Sequence, residues 1–269
     1  MRTCLVAIGR RENLYAREFV EWYKNLGFDN IIIMDNNYDG EEHFEEVLQD
    51  YVDQGFVIIE NYRNQVKPQM RGYSQIYAKY KNDYDWIAYY DFDEFLFLNG
   101  LTLKEWLESF PNDCEEILVN WLTMTDNNLV HYDPRPLVKR FTEPMEITRP
   151  IQYQFPDNCH VKCIIKGGLD VVFAGNPHVP DTPLNAYNAS GHRCNSAPWQ
   201  PIDYSKAHLK HYTTKTIEEW MTRKMKVGTP DREPSSFLPF YKDRFFKINQ
   251  MTDEKKEYLD SLMRTCERK

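Results

Sequence analysis

Two aspartates separated by one residue follow a strongly apolar segment and are the clearest candidates for chemistry. Residues 86–90 read WIAYY, and Asp91 and Asp93 come directly after them. Side chains at positions i and i+2 of an extended chain point the same way, so both carboxylates are expected to face one point. Paired oxygens suit a hard divalent cation such as Mn²⁺ or Mg²⁺. Such a cation binds diphosphate oxygens and offsets the charge that develops on a departing nucleoside diphosphate.

Two other interpretations of this pair are solvated turn residues and the nucleophile motif of haloacid dehalogenase-like phosphatases. The phosphatase motif needs Thr or Val two residues after the second aspartate and normally follows the first strand. Here Phe95 stands at that position and the strand is the fourth. The apolar strand before the pair and the flanking Phe92 and Phe95 favour a functional pair over solvated turn residues.

The elements that must position these residues alternate between strand and helix. Strand patterns cover 3–9, 30–34, 56–60 and 86–90, and helical spacing covers 12–26, 41–54 and 69–81. Continuous apolar strands that alternate with helices predict an α/β protein with a mostly parallel, Rossmann-like sheet flanked by helices. Ligands of such sheets bind beyond the carboxyl ends of the strands. Asp35 and the Asp91–Asp93 pair both follow strand ends, which predicts an active site at that edge.

The pattern changes after residue 100, where a mixed region begins. A helix is predicted over 102–110, a strand over 116–124, strand-like segments over 136–141, 161–166 and 169–174, and helices over 216–227 and 253–268. We therefore predict one domain over 1–269. Its parts are a nucleotide-binding half (1–100), a mixed acceptor-side half (101–228) and a C-terminal helical extension (229–269).

Composition excludes some classes of partner and leaves others open. The formal net charge of −8 argues against a nucleic-acid binder, which needs a cationic surface. No segment is apolar and long enough to span a bilayer, and the N-terminus lacks the pattern of a signal peptide. We expect a cytoplasmic protein with reduced cysteines, at most peripheral at the inner membrane face. The basic C-terminal helix suits either a membrane surface or, more simply, docking onto the protein.

A zinc site is a further alternative that the cysteines raise. Cys159 and Cys163 are separated by three residues, and His192 and Cys194 follow later in the chain. These spacings are not a common zinc signature, and Cys163 within VKCII is typical of a small buried strand residue.

Several longer motifs resemble one known family. They are EFVEWYKNLGFDNIIIMDNN, WIAYYDFDEFL, LVKRFTE, HVKCIIKG and HLKHYTTKTIEEWMTRKMKVG, and together they lie within residues 3–228. In these motifs the sequence resembles the family-92-like branch of the family-2 glycosyltransferases. The resemblance implies a GT-A fold, a nucleotide-diphosphate sugar donor, usually Mn²⁺, and inverting transfer to a carbohydrate or lipid-linked glycan acceptor. The small size and the lack of an apolar membrane-spanning segment add the expectation of a bacterial role in surface polysaccharide or lipopolysaccharide assembly.

The resemblance also assigns roles to individual positions. Asp91 and Asp93 match the metal and diphosphate motif, and Asp35 matches the acidic residue that contacts the nucleoside. His211 matches the C-terminal histidine that completes the metal site, with His178 and His208 as competing candidates. A neutral imidazole beside carboxylates is a suitable ligand for Mn²⁺.

Other donor-side and acceptor-side candidates are less specific. Gly9 and Gly228 would allow the backbone to approach a ligand closely, and Arg10 stands in the segment that the family fills with K-N-E, which leaves the contacts to the base open. The cations that would contact phosphates are Arg71, Lys139, Arg140 and Lys224, although each also suits a plain surface charge.

The acceptor side offers one aromatic residue and several acids. Trp121 would stack on the acceptor sugar, or it packs in the core. Inverting transfer needs a general base within hydrogen-bond reach of the acceptor hydroxyl. Asp126 is the first candidate for that base because it follows the strand that carries Trp121, and Asp170 and Asp181 are alternatives. An ordinary turn aspartate explains Asp126 equally well.

Two other functions remain as alternatives. A nucleotidyltransferase on a related sheet would normally have a Gly-rich, basic loop after the first strand, and Gly9-Arg10-Arg11 is a poor match. A non-catalytic carbohydrate-binding protein with the same fold would have no need of an intact Asp91–Asp93 pair.

Overall fold

The computed structural model describes residues 1–150, 154, 156–224 and 244–266, and the chain divides into two compact units. The larger unit contains Met1–Leu122 and Asn158–His211, and the smaller contains Thr123–Asp157 and Tyr212–Lys269. The expected division into functional parts at residues 100 and 228 stays a prediction. Gly228 and most of the first half of the expected extension lie outside the described residues.

Four parallel strands form one side of the sheet in the larger unit. They are β1 (Thr3–Gly9), β2 (Asn30–Asp35), β3 (Val57–Asn61) and β4 (Trp86–Tyr89). β1 pairs with β2 and β4, and β2 also pairs with β3. All of β1 and β4 and nearly all of β2 are buried, because helices cover both faces of such a sheet. The predicted parallel sheet is confirmed.

Three helices connect these strands: α1 (Asn13–Leu26), α2 (Glu45–Asp53) and α3 (Gln69–Tyr80). α1 ends at Gly27, whose φ of 108° is a left-handed conformation that favours glycine. α3 packs closely on the sheet at Gly72, where a Cβ atom would lie 2.0 Å from Met34 Cε. This close packing holds the first residue of α3, Gln69, near the end of β4.

The remaining strands make the sheet mixed. They are β5 (Glu94–Leu98), β6 (Glu116–Thr123), β7 (Val161–Lys166), β8 (Ala186–Asn188), β9 (Arg193–Cys194) and β10 (Ala207–His211). The strand order is β3-β2-β1-β4-β7-β6-β10-β5, and β8 joins β9 to β6. β7 is antiparallel to β4 and β6, and β10 is antiparallel to β5. The α/β class with a mixed second half is confirmed.

Short helices complete the two units. The larger unit has α4 (Leu103–Glu108), which begins with a capping box between Thr102 and Glu105. A 3₁₀ turn spans Asp157–Cys159. The smaller unit has α5 (Leu137–Arg140), α6 (Ile217–Glu219), a π-helical segment (Trp220–Lys224), a helical turn over 244–248 and α7 (Asp253–Cys266). Its core contains Val130, Ile217, Trp220 and Phe245.

Two strand predictions were wrong, each for a local reason. Residues 136–141 contain the helix α5, because six residues do not separate a period of 2 from one of 3.6, and Pro136 suits the start of a helix. Residues 169–174 form no strand. The amides of Val172 and Phe173 donate to the hydroxyls of Thr182 and Ser74, so side chains take the place of a neighbouring strand.

Two strands that the sequence did not predict, β5 and β10, pair with each other. In their register His211 lies opposite Glu94 and Lys210 lies opposite Phe95. This pairing brings the last residue of β10 next to the Asp91–Asp93 segment. Within the described ranges, every helix is too short or too polar to span a lipid bilayer.

Candidate active site

Three parallel strands end at one edge of the sheet, and candidate residues follow at each end. Gly9 is the last residue of β1, Asp35 is the last residue of β2, and Asp91 lies two residues beyond β4. Gly9 and Asp35 are register partners. The parallel register therefore brings the predicted donor-side residues to one edge, where α/β proteins bind ligands.

A tight turn carries the chain from β4 through both aspartates into β5. The Glu94 amide donates to the Asp91 carbonyl at 2.9 Å, and the Asp91 amide donates to Glu94 Oε2 at 2.9 Å. Phe92 points into the core and stacks on Phe44 with ring centroids 5.2 Å apart. Phe92 and Phe95 are buried, as the sequence predicted. Phe92, which lies between the two aspartates, thus anchors the turn in the core.

A buried lysine that the sequence analysis missed meets this turn. Lys162 Nζ lies 2.7 Å from Asp91 Oδ2 and 3.7 Å from Glu94 Oε2, and the lysine side chain is 1% exposed. The other oxygen of Asp91 is near Gln69 Nε2 at 3.4 Å and Tyr73 Oη at 3.5 Å. The one available signal was a lysine inside an apolar strand, VKCII, where charges are rarely buried unless they are paired.

Glu94 connects the turn to the neighbouring strands. It is fully buried, and its Oε1 accepts a hydrogen bond from Trp121 Nε1 at 2.8 Å. Burial raises the pKa of Glu94 well above its ordinary value, nearby Lys162 opposes that rise, and the neighbouring aspartates add to it. Breaking this network would leave buried charged groups without partners, which is costly.

His211 faces Asp93, as the resemblance implied. His211 Nε2 lies 3.7 Å from Asp93 Oδ1, and both side chains are about nine-tenths buried. The pairing of β5 with β10 produces this contact. The competing candidate His208 belongs to the opposite face of β10 and stacks on Phe97, and its burial lowers its pKa to about 4. Of these two, only His211 is placed beside the aspartates.

Imidazole rings surround Trp121, the predicted acceptor-binding residue. The Trp121 ring centroid is 4.1 Å from that of His211, 5.0 Å from that of His160 and 5.1 Å from that of His178. Trp121 is 7% exposed, so its faces are covered in this structure. Val161 O contacts His178 Nδ1 at 2.7 Å, and burial is the main cause that lowers the pKa of His178. The lowered pKa favours the neutral form of the His178 imidazole.

Asp35, the predicted nucleoside contact, is buried and held by two neighbours. Its Oδ1 accepts hydrogen bonds from the Asn37 amide at 2.9 Å and Asn37 Nδ2 at 2.7 Å. Its Oδ2 is 2.8 Å from Arg63 Nη1. Arg63 follows β3 at the same edge and also donates to the Tyr38 carbonyl at 2.8 Å. Sequence reasoning missed Arg63, although its position just after a strand end was a usable signal.

The other donor-side candidates have different surroundings. Arg10 makes a bidentate ion pair with Glu41, at 2.9 Å for both contacts, and lies over the Tyr38 ring at 3.9 Å. Arg71 is exposed and donates to Gln65 Oε1. A Cβ atom on Gly9 would lie 2.6 Å from the Phe92 ring, so packing within the protein already explains this glycine.

The candidate base Asp126 belongs to the smaller unit, where it is buried in an ion pair. Asp126 Oδ2 lies 2.5 Å from Lys255 Nζ, and the two side chains are 2% and 0% exposed. Burial raises the pKa of Asp126, and Lys255 opposes that rise. Its role as a base stays a prediction, and the ion pair gives it a structural role in addition.

The remaining candidates are dispersed. Lys224 ends the π-helical segment of the smaller unit and is half-buried, and Lys139 and Arg140 lie in α5 of that unit, Arg140 being paired with Glu219. Of the alternative bases, Asp170 pairs with Lys81 and its side chain is 98% exposed. Asp181 accepts hydrogen bonds from the amides of residues 174 and 175.

The described residues include one other group with the composition of a cation site. One ligand atom each from Asp35, His43 and Glu45 lies within 4.8 Å of the other two. Arg63 already neutralises Asp35, which disfavours a cation there. Within the same described part of the chain, neither the set of Asp91, Asp93 and His211 nor the cysteines considered for zinc form so tight a group. In the first case, Asp91 is paired with Lys162.

A family model and several known proteins match this chain. The model of glycosyltransferase family 92 matches residues 2–261. A curated glycosyltransferase family 92 protein from Ricinus communis is 26% identical over 110 residues, which cover 40% of this chain and 20% of that protein. The chain thus matches only about a fifth of the length of this relative.

Solved structures of one protein match most of the length of this chain at low sequence identity. TarS from S. aureus (residues 1–349) has a TM-score of 0.43 and 11% identity over 97% of this chain and 79% of that chain. Its complex with UDP-GlcNAc has the same TM-score and identity, over 95% of this chain and 78% of that one. The α/β architecture and the family match agree with the GT-A fold that the sequence predicted.

Proposed function

Because the chain belongs to glycosyltransferase family 92, we propose that it transfers a sugar from a nucleotide-diphosphate donor to a carbohydrate or lipid-linked glycan acceptor. The observation that most supports this proposal is the contact of Asp93 with His211, next to the pair of Asp91 with Lys162, at the carboxyl edge of the parallel strands. Strands from both halves of the sheet converge there on one acidic site.

A divalent cation, Mn²⁺ or Mg²⁺, is the cofactor that we propose. Asp93 and His211 supply an oxygen and a nitrogen 3.7 Å apart, and this donor set fits Mn²⁺. When bound, the cation would supply positive charge to the departing diphosphate. The protein's part is to hold both ligands, through the turn that Phe92 anchors and through the pairing of β5 with β10.

The donor would lie along the edge formed by β1, β2 and β4. Asp35 and Arg63 are a buried, preformed pair at the end of β2, and Arg10 with Tyr38 covers the adjoining surface. A carboxylate fixed by an arginine and an asparagine is a rigid acceptor, as recognition of a nucleoside hydroxyl or imide requires. We propose this end of the edge as the nucleoside side.

Inverting transfer is part of the proposal, and it needs a base. Asp126 is the residue that the sequence suggests, and in the structure its carboxylate is held by Lys255. To act as a base it would have to accept a proton from the acceptor hydroxyl while keeping or exchanging that partner. We further propose a cytoplasmic location with at most peripheral membrane contact, and a role in polysaccharide assembly.

The experiment that tests the proposal combines a donor panel with matched variants. Purified protein is incubated with nucleotide sugars and Mn²⁺, and thermal shift and release of nucleoside diphosphate are measured. We expect metal-dependent stabilisation by one donor class and slow release of its nucleoside diphosphate. Asp93→Asn is expected to abolish turnover without unfolding the protein, whereas Asp83→Asn, an exposed aspartate between α3 and β4, retains it.

The same experiment separates the alternatives. Release of pyrophosphate from a nucleoside triphosphate would identify a nucleotidyltransferase instead. A lack of response to every donor, with a folded protein, would identify a non-catalytic member of the family. Full activity of Asp93→Asn would contradict the proposed role of that carboxylate.

A further inference from the structure

We propose that Lys162 is a positioning residue that holds the Asp91 carboxylate away from the metal, so that Asp93 and His211 are the direct metal ligands of the protein. This inference rests on the proposed function and deepens it. It gives different tasks to two aspartates that their spacing makes look equivalent.

The first support is the burial and the contacts of the lysine. Its ammonium lies 2.7 Å from Asp91 Oδ2, within hydrogen-bond range, and its side chain is 1% exposed. An ammonium so enclosed does not reach solvent, so it cannot serve as a surface contact for a diphosphate. Its second carboxylate contact is Glu94 Oε2 at 3.7 Å. Lys162 therefore acts on the site through these acids.

The second support is that both oxygens of Asp91 have protein neighbours. While Lys162 takes Oδ2, Gln69 Nε2 and Tyr73 Oη approach Oδ1 at 3.4 and 3.5 Å. Asp93 Oδ1 lies 3.7 Å from His211 Nε2, and an imidazole nitrogen beside a carboxylate oxygen suits Mn²⁺. The turn therefore directs one carboxylate toward a fixed cation of the protein and the other toward a metal ligand.

The third support is the strand that delivers the lysine. β7 runs antiparallel to β4, with Ala88 opposite Ile164, so Lys162 stands two residues further on, beyond the point where β4 ends. On its other side Lys162 is the register partner of Val119 in β6. The sheet register therefore fixes Lys162 next to the Asp91 turn. A flexible surface lysine would not be fixed in this way.

The charge balance predicts an effect that a purely structural lysine would not produce. Removing the ammonium takes a positive charge out of the site and frees Asp91 to turn toward the metal. Binding of Mn²⁺ in the absence of nucleotide should then become tighter, although catalysis suffers because Asp91 is no longer held. A residue needed only for folding would weaken metal binding when it is removed.

The test measures Mn²⁺ affinity by electron paramagnetic resonance of the free ion, without nucleotide. Lys162→Met is expected to tighten binding by on the order of tenfold, because the divalent ion no longer faces a buried ammonium. Adding Asp91→Asn in the same protein is expected to cancel that gain. Lys166→Met is the matched control on the same strand; Lys166 donates to the Asn112 carbonyl, and wild-type affinity is expected.

Unchanged or weaker affinity in folded Lys162→Met overturns the proposal, as does a double variant that binds Mn²⁺ as tightly as Lys162→Met. If Lys162→Met does not fold, the variant with both Lys162→Met and Asp91→Asn decides the question. If this double variant folds and binds Mn²⁺ with near wild-type affinity, it supports the pairing of Lys162 with Asp91. If it does not fold, the proposal is overturned.

The experiment gives a different result if the proposed function itself is wrong. If the wild type binds neither Mn²⁺ nor a nucleotide sugar, metal-dependent transfer is contradicted. The melting temperatures then still test the positioning role. Asp91→Asn should restore part of the stability that Lys162→Met loses, because it removes the charge left unpaired. Additive losses would overturn the inference.

Discussion

A buried glutamate remote from the strand-end aspartates makes the stability of this protein depend on pH. Glu116 is the first residue of β6 and is fully buried. Neither carboxylate oxygen has a hydrogen-bond partner of good geometry, although the Ser196 hydroxyl is close enough to favour the charged form slightly. Burial raises the pKa of Glu116 from 4.5 to about 7. The folded protein therefore retains a proton that the unfolded chain releases.

The sign and the size of the effect follow from this difference. The pKa is higher in the folded state, so the contribution of Glu116 to stability is full below pH 4.5. It is lost as the pH rises through about 7, above which both states are ionised. At about 1.36 kcal/mol per pH unit, the difference between 4.5 and about 7 corresponds to a loss of about 3 kcal/mol.

Glu116→Gln removes the titration and keeps the shape. We expect this variant to be about 3 kcal/mol more stable than the wild type at pH 8 and nearly equal to it at about pH 4. Urea unfolding followed by fluorescence at both pH values measures the difference. Glu108→Gln, on the exposed face of α4, is the control and should follow the wild type throughout. Equal pH dependence in Glu116→Gln and wild type would refute the reasoning.

Three further predictions concern single residues. Asp126→Asn should cost about 3–5 kcal/mol of stability, measured by urea unfolding, because the buried Lys255 ammonium loses its carboxylate and keeps only uncharged acceptors such as the Gln250 carbonyl; wild-type stability would contradict this ion pair. Gly9→Ala should cost about 1–3 kcal/mol in the same measurement, because its Cβ would lie 2.6 Å from the Phe92 ring. His211→Ala should weaken Mn²⁺ binding by about tenfold or more in a paramagnetic-resonance titration while keeping the fold, and unchanged binding would remove it from the ligand set.

The parallel half of the fold was predictable because its strands are buried on both faces. Ile31, Ile32 and Ile33 form a continuous apolar run, which is typical of a parallel strand that is buried on both faces. The antiparallel pair β5–β10 was not predictable in this way. Its partners are separated by more than a hundred residues, and β10 alternates buried and half-buried residues over only five positions. So short a pattern does not distinguish a strand from a loop.

The residues of the site differ in the same way, because some could be predicted from the sequence and others could not. Asp35 and Asp91 follow strands that periodicity identifies, so the amino-acid sequence alone predicts that they share an edge of the sheet. Arg63 and Lys162 gave only weak signals in the sequence, because a charged residue near a strand end is usually a solvated one. What identifies them is the burial of their partners, which depends on how distant segments pack. His211 was placed by resemblance alone, and the β5–β10 register supplies its physical reason.

The mixed half of the sheet therefore contributes the basic groups beside Asp91 and Asp93, and topology explains why. Parallel strands present only their carboxyl ends at this edge, and here those ends are followed by Asp35 and Asp91. A strand that runs the other way begins where its neighbours end, and β7 begins at this edge with Lys162 as its second residue. β10, antiparallel to β5, ends where β5 begins and so places His211 against Asp93. Asp91 and Asp93 thus face groups that come from strands of opposite direction, and a shift of the β7 register by one residue would turn Lys162 to the other face and leave Asp91 without its cation.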